Sequence, residues 1–318
     1  MQGVPECTSP PNKRGGTECL RRHMPTALRS SLRLVVVGMR SPLKRVIERS
    51  TAAIPHALAA LTVACLLASQ AGGARSAAEQ TIDLSAYQLT LDENFDRIDV
   101  SPWGPDTRWI AHTTWHGDFG DAEFTNPSPT FPFVVENGIL RIEARKGSDG
   151  KWRSGLLSSN DPDGKGFAQR FGYFEMRAKL PPGPGVWPAF WLVGDGDPSS
   201  RIEIDVLEYY GIKPDRYFST VHVWKKPEME DNEAFQMEHG VPRGSLTSDF
   251  HTYGVSVEPD WIIFYHDRSE IGRTQTPKEL RGPLFILLNL ALGSGYPIDE
   301  VVNPVHMYVD YVRAYSKK

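Results

Sequence analysis

From about Thr81 to its end, the chain is dominated by short runs in which apolar and polar residues alternate. They fall at Gly138–Ala144, Gly172–Lys179, Phe218–Trp224, Tyr253–Glu258, Trp261–His266 and Met307–Tyr315. A period of two marks a strand with one face in a core and the other toward solvent. The run Leu284–Leu292 is apolar at almost every position and predicts a strand covered on both faces. Turn residues separate the runs, as in Asp-Pro-Asp-Gly at 161–164 and Pro-Pro-Gly-Pro-Gly at 181–185. Helical periodicity is scarce. The pattern predicts one all-β domain of about 240 residues, an antiparallel sandwich or barrel without internal repeats or linkers.

The texture upstream is different. Around Met39 a basic segment (Arg40, Lys44, Arg45, Arg49) precedes an apolar stretch from Ala57 to Ala68, and small residues follow up to Ala78. That order describes a secretory signal peptide. The apolar run falls short of the ~20 residues a membrane-spanning helix needs. The expected organisation is an N-terminal extension at 1–38, a signal peptide at 39–78 with Met39 as initiator, and a folded body at 79–318. Such a protein is secreted or periplasmic and keeps no membrane span once the signal is cleaved.

Charge sharpens this division. Residues 1–78 carry 11 Lys/Arg against 3 Asp/Glu, a net +8, and the remainder carries 24 against 36, a net −12. An acidic body argues against a nucleic-acid partner, which needs clustered Lys/Arg. The three cysteines, Cys7, Cys19 and Cys65, all lie upstream of the body. The body therefore has no disulfide, thiol nucleophile or thiolate metal site, and the chain carries no His-Glu-x-x-His zinc motif.

The stretch richest in chemistry is Arg201-Ile-Glu-Ile-Asp-Val-Leu-Glu-Tyr-Tyr-Gly211. On a strand Glu203 and Asp205 share one face, with Ile204 and Val206 on the other. Glu208 falls out of phase, and a one-residue β-bulge between Asp205 and Glu208 returns it to the acidic face. Four effective steps of about 3.3 Å then separate the two Glu backbones by roughly 13 Å. Side chains leaning together from there reach the ~5–5.5 Å carboxyl separation of retaining glycosidases. In that chemistry Glu203 is the nucleophile, Asp205 orients it and tunes its charge, and Glu208 is the acid/base. Taken alone, the alternation equally describes any half-exposed strand.

In context the segment resembles glycoside hydrolase family 16, the laminarinases, lichenases, agarases and related endo-glycanases. Upstream, Phe171-Gly-Tyr-Phe-Glu-Met-Arg177 and Gly185-Val-Trp-Pro-Ala-Phe-Trp-Leu192 are similar to its lead-in blocks. Downstream, His251-Thr-Tyr-Gly254, Leu288-Asn-Leu-Ala-Leu-Gly293 and Tyr308-Val-Asp-Tyr-Val-Arg313 follow in the same order. The resemblance implies a concanavalin-like jelly roll of two antiparallel sheets with a cleft on the concave one. It also implies retention through a covalent glycosyl-enzyme, with no cofactor for catalysis. The Glu-x-Asp-x-x-Glu form is similar to the laminarinase-like branch and leans toward β-1,3 or mixed 1,3-1,4 glucan as the polysaccharide partner. Two departures, Ser199-Ser-Arg-Ile202 and Gly293-Ser-Gly-Tyr-Pro297, flank the active strand and leave exopolysaccharides such as succinoglycan open as substrates. A transglycosylase or a non-catalytic lectin are the alternatives. A monomer is expected.

The resemblance also nominates supporting residues. Trp187 and Trp191, sharing a strand face, go to the cleft, and Trp115 is a third sugar platform. An indole offers a flat surface to the apolar face of a sugar ring, although core packing accounts equally for many tryptophans. Arg153 corresponds to a position that reaches the nucleophile and its sugar, with a plain surface arginine as the other reading. His222 lies near the leaving-group side or is a structural histidine. Glu93, Gly138 and Asp310 are the positions that match a structural calcium site on the convex face, and oxygen donors suit that ion.

Overall fold

The computed structural model describes residues 80–197, 200–225 and 232–318, so the extension and signal peptide read at 1–38 and 39–78 lie outside the described residues. Among the described residues the alternating runs are strands, gathered into two sheets. One sheet is ordered Ser269–Gln275, Trp261–His266, His251–Val257, Gly172–Lys179, Val305–Lys317, Ile139–Lys146, Trp152–Ser154 and Glu123–Phe124. Tyr87–Glu93 and Phe133–Glu136 pair onto it. The other is ordered Glu233–Gly240, Arg216–Lys225, Ser200–Glu208, Val186–Asp197, Leu284–Leu292, Leu156–Ser158, Trp109–Ile110 and Val100–Ser101. Among the described residues helix is confined to a single turn at Ser245–Ser248 and a 3₁₀ turn at Leu84–Ala86.

The sheets are not wholly antiparallel. Val100–Ser101 runs parallel to Trp109–Ile110, and Glu123–Phe124 runs parallel to Trp152–Ser154. Both exceptions are two- or three-residue pieces at sheet margins, where a loop returning in the same direction borrows only a few backbone bonds.

The core follows from alternation. In Leu284–Leu292 every residue is buried, as its almost continuous apolar run predicts. Leu284, Ile286, Leu288, Leu290 and Leu292 join the main core between the sheets. Phe285, Leu287 and Ala291 face the opposite way into a second apolar cluster with Phe124, Leu156, Ala189, Trp191 and Val193. The neighbouring strand Val186–Asp197 divides the same way, sending Val186, Phe190 and Leu192 to the main core. A sheet apolar on both faces needs a cover on each side. Here the second cover is the loop carrying Phe119, whose ring meets Phe124, Trp187 and Trp191 at 5.0–5.8 Å.

A different device holds the other sheet. Glu175 is fully buried in it, and Arg268 donates to both of its oxygens at 2.9 and 3.0 Å. The hydroxyls of Tyr173 and Tyr311 donate at 2.8 Å each. A buried carboxylate is tolerated only when its lone pairs are met in this way.

Candidate active site

The strand Ser200–Glu208 carries the three carboxylates, and its register shows how they come to share one face. Against Arg216–Lys225 the pairing runs Glu203 with His222 and Asp205 with Thr220, then skips to Glu208 with Phe218. Against Val186–Asp197, Trp191 pairs with Asp205 but Phe190 pairs with Leu207. One extra residue therefore sits between Asp205 and Glu208. Val206 and Leu207 both reach the main core, so the next side chain, Glu208, emerges on the face that holds Glu203 and Asp205. Trp187, Ala189 and Trp191 occupy the same face of the adjacent strand.

Each glutamate meets an indole. Trp224 Nε1 donates to Glu203 Oε2 at 3.0 Å. Trp187 Nε1 donates to Glu208 Oε1 at 3.1 Å, and Tyr210 Oη donates to that same oxygen at 3.0 Å. Asp205 is almost wholly buried between them. His222 Nε2 lies 3.2 Å from Asp205 Oδ2 but is not directed for a hydrogen bond, so the contact is electrostatic. The His222 ring stacks on Trp224 at 4.8 Å and 15°.

These surroundings move the acidities. Burial, helped by the charge of Asp205, pushes Glu203 up to about 8, against the pull of His222 and the Trp224 N–H. Burial, and next the charge of Glu208, raises Asp205 well above the usual carboxylate range. Glu208 is raised by burial and restrained by Tyr210 and Trp187. Three carboxyls in one dry line cannot all ionise together, so the group keeps a proton near neutrality. A set that retains one acid while offering one carboxylate is equipped for general acid and nucleophilic chemistry together.

The tryptophans nominated from the sequence divide. Trp187 is partly exposed beside Glu208 and stacks on Tyr210 at 6.1 Å. Trp191 is on the cleft face but only 5% exposed, its Nε1 donating to Asn289 Oδ1 at 2.9 Å. It forms the floor rather than an open platform, because Phe119 and Trp115 pack their rings against it. Trp115 is exposed, with the Arg201 guanidinium 4.9 Å above its ring.

Arg153 is not brought to this group. Its guanidinium is held by Asp149, with contacts of 2.7 and 3.0 Å, on a strand of the opposite sheet. Asp149 lies four residues back across a tight hairpin, a local partner that captures the charge. The calcium nominees also stand differently. Glu93 accepts from Phe95 N and Trp109 Nε1, each at 3.0 Å, and Asp310 accepts from Arg177. Gly138 sits in a turn near the carbonyl of Asn94.

Trp224, Tyr210 and Asn289 were not singled out from the sequence. For Trp224 the signal was available, since Thr220, His222 and Trp224 alternate onto one face. Tyr210 follows the strand's end and Asn289 sits inside an apolar run, so neither carried a periodic signal.

Comparison with known proteins bears on this arrangement. The family model described as glycosyl hydrolases family 16 matches residues 132–312, more than half of the chain. The chain belongs to glycosyl hydrolase family 16. It is 34% identical over 259 residues to the endo-1,3-1,4-beta-glycanase EglC of Rhizobium meliloti (strain 1021), covering 74% of this chain and 53% of that protein. To the glucan endo-1,3-beta-glucosidase A1 of Niallia circulans it is 27% identical over 271 residues, covering 74% and 39%. The family 16 chain thus spans about half the length or less of these two curated relatives. The laminarinase catalytic domain of Thermotoga maritima MSB8 superposes with a TM-score of 0.58 at 26% identity, covering 73% of this chain and 99% of that one. The two-sheet sandwich is the family's jelly roll. Among the described residues no helix is long and apolar enough to cross a membrane.

Proposed function

We propose that this chain is a retaining endo-β-glycanase that cleaves a β-1,3-containing glucan, either β-1,3-linked or mixed 1,3-1,4. The observation that carries the reading is the bulge that puts Glu203, Asp205 and Glu208 on one face, each glutamate gripped by a tryptophan N–H. Family membership supports the reaction class. The names of the Rhizobium and Niallia relatives, an endo-1,3-1,4-beta-glycanase and a glucan endo-1,3-beta-glucosidase, support the glucan.

Glu203 is the nucleophile. The Trp224 N–H and the nearby imidazole of His222 both favour its ionised form. Its carboxylate attacks the anomeric carbon while Glu208 delivers a proton to the departing glycosidic oxygen. The C–O bond breaks, and the sugar remains esterified to Glu203 with its configuration inverted once. Trp187 and Tyr210 both engage Oε1 of Glu208, which leaves Oε2 to carry the proton. Glu208, now ionised, takes a proton from water, and the hydroxide attacks the anomeric carbon and frees Glu203. Two inversions give net retention. Asp205, raised well above the usual range, holds a proton or a charge between the two glutamates and so couples their ionisation.

Trp115 and Trp187 border the site as sugar-facing surfaces, and Tyr296 packs 5.5 Å from Tyr210 on the acid side. We place the protein outside the cytoplasm on the strength of the apolar segment Ala57–Ala68, in keeping with a polymeric substrate.

The test is an incubation of the protein with laminarin, mixed-linkage β-glucan, agarose, κ-carrageenan and succinoglycan beside a Glu203→Gln control. Product sizes and the anomeric configuration of the first-formed reducing ends are read by chromatography and NMR. Internal cleavage of a β-1,3-containing glucan with β-configured new ends, absent in the control, is expected. Cleavage of succinoglycan alone would overturn the substrate, α-configured ends the mechanism, and binding without cleavage the enzyme itself.

A further inference from the structure

A second constellation lies in the sheet opposite the carboxylates. His251 opens the strand His251–Val257, His266 closes Trp261–His266, and Asp267 begins the turn into Ser269–Gln275. Asp267 Oδ2 lies 2.7 Å from His251 Nδ1 and 3.5 Å from His266 Nε2. Ligand atoms of all three side chains fall within 4.8 Å of one another. The two imidazoles stack with centroids 5.0 Å apart and planes at 22°.

The convergence is built in by the hairpin. Tyr253 pairs with His266, which sets His251 and Asp267 beside each other at the open end of the ladder. Asp267 has a left-handed backbone, φ 48°, and is pinned to Thr252 twice. Its N–H donates to the Thr252 carbonyl at 2.8 Å, and its Oδ1 accepts the Thr252 N–H at 2.9 Å. One carboxylate oxygen is thus engaged by the backbone, and the other is hydrogen-bonded to His251 Nδ1, a proton the ion would replace, and lies close to His266 Nε2. Fixing a ligand's orientation through its non-ligating atom is how outer contacts support a metal site. The rings of Tyr217 and Tyr253, each 5.6 Å from His266, wall the inner side.

Two imidazole nitrogens and one carboxylate oxygen form a donor set of intermediate softness. Calcium and magnesium prefer oxygen alone, whereas zinc, copper and nickel accept this mixture. Bonds of about 2.0–2.1 Å in a tetrahedral site set neighbouring ligand atoms roughly 3.3 Å apart. The 3.5 Å pair meets that spacing, and the 2.7 Å pair reaches it by opening about half an ångström. His251 and Asp267 are both partly exposed, which gives them that freedom and leaves a face for water as the fourth ligand.

We propose that His251, His266 and Asp267 bind a divalent transition-metal ion of the zinc type, which staples the start of one strand to the turn that ends its neighbour. Glu203, Asp205 and His222 also bring three ligand atoms within 4.8 Å, so the test separates the two places.

The full-length protein is used with Cys7, Cys19 and Cys65 changed to serine, so that thiols outside the body do not compete for the ion. After chelator treatment it is titrated with ZnCl₂ by calorimetry and melted with and without the ion. One zinc equivalent and a higher Tm are expected. His266→Gln and Asp267→Asn each remove that equivalent or weaken it about tenfold or more, while Asp205→Asn and His222→Ala keep it. Asparagine tolerates the left-handed backbone and still accepts from Thr252, so Asp267→Asn reports on ligation rather than on the turn. His251→Ala, at a partly exposed position, is the companion if a second variant is needed. Absence of any equivalent would overturn the proposal. So would an equivalent that survives His266→Gln and Asp267→Asn but disappears with Asp205→Asn.

Discussion

The indole N–H of Trp224 donates to Oε2 of Glu203 from the adjoining strand, 3.0 Å away and one pleat along from the His222 position that pairs with Glu203. The bond joins a residue whose acidity is raised by burial to a donor that favours its charged form. It gives the nucleophile a fixed direction and part of its ionisation.

Trp224→Phe keeps the ring over His222 and deletes only the donor. A hydrogen bond to a charged group contributes about 1.5–3 kcal/mol, so kcat/KM falls by roughly ten- to a hundredfold. The donor lowers the pKa of Glu203, so its loss raises that pKa further. The acid limb of the rate profile therefore moves to higher pH, and a profile of kcat/KM against pH checks it. An unmoved limb would mean that another group controls it.

The two glutamates are separable by chemical rescue. Glu203→Gly and Glu208→Ala each lower activity on the polymer by at least about 10³-fold. On an aryl glycoside whose leaving group needs no proton, azide enters the space each truncation opens. Azide in the Glu203 gap attacks the substrate directly and gives an α-glycosyl azide. Azide in the Glu208 gap attacks the glycosyl-enzyme and gives the β product. NMR of the products assigns the roles, and exchanged configurations would reverse them.

Stability should carry the imprint of the buried acids. Glu203 is raised from the ordinary carboxylate range to about 8. Between those limits the folded state holds a proton the unfolded chain has lost, so stability falls as pH rises. This contribution is fully present below the unfolded value and is lost as pH passes about 8. Glu203→Gln carries no such titration. Its Tm exceeds that of the parent at pH 8 by more than at pH 4, as calorimetry at the two pH values will show, at the expense of activity.

Glu175 tests a different part of the molecule. Glu175→Ala leaves Arg268 and two tyrosine hydroxyls without their shared acceptor, a loss of about 3–5 kcal/mol by analogy with broken buried pairs. Urea unfolding measures it. Glu175 lies in the sheet opposite the carboxylates, so kcat of the folded fraction stays near the parent value. A fall in kcat without a loss of stability would contradict this division of labour.

Alternation by itself determined the strands, since a period of two leaves one face to bury. The nine-residue apolar run likewise announced a strand covered on both sides, and Leu284–Leu292 is that strand. The Glu203, Asp205 and Glu208 spacing even required a bulge, because an odd step otherwise turns Glu208 inward. What alternation does not encode is which strands become neighbours. Trp224 reaches Glu203, and Tyr210 and Trp187 reach Glu208, through cross-strand register that no local period specifies. Arg153 went to Asp149 for a local reason that alternation also leaves out: the hairpin sets a carboxylate four residues back beside its guanidinium. Trp191 became floor rather than platform because the Phe119 loop folded over it. Local pattern decided which side chains face which way, and long-range packing decided what each of them meets there.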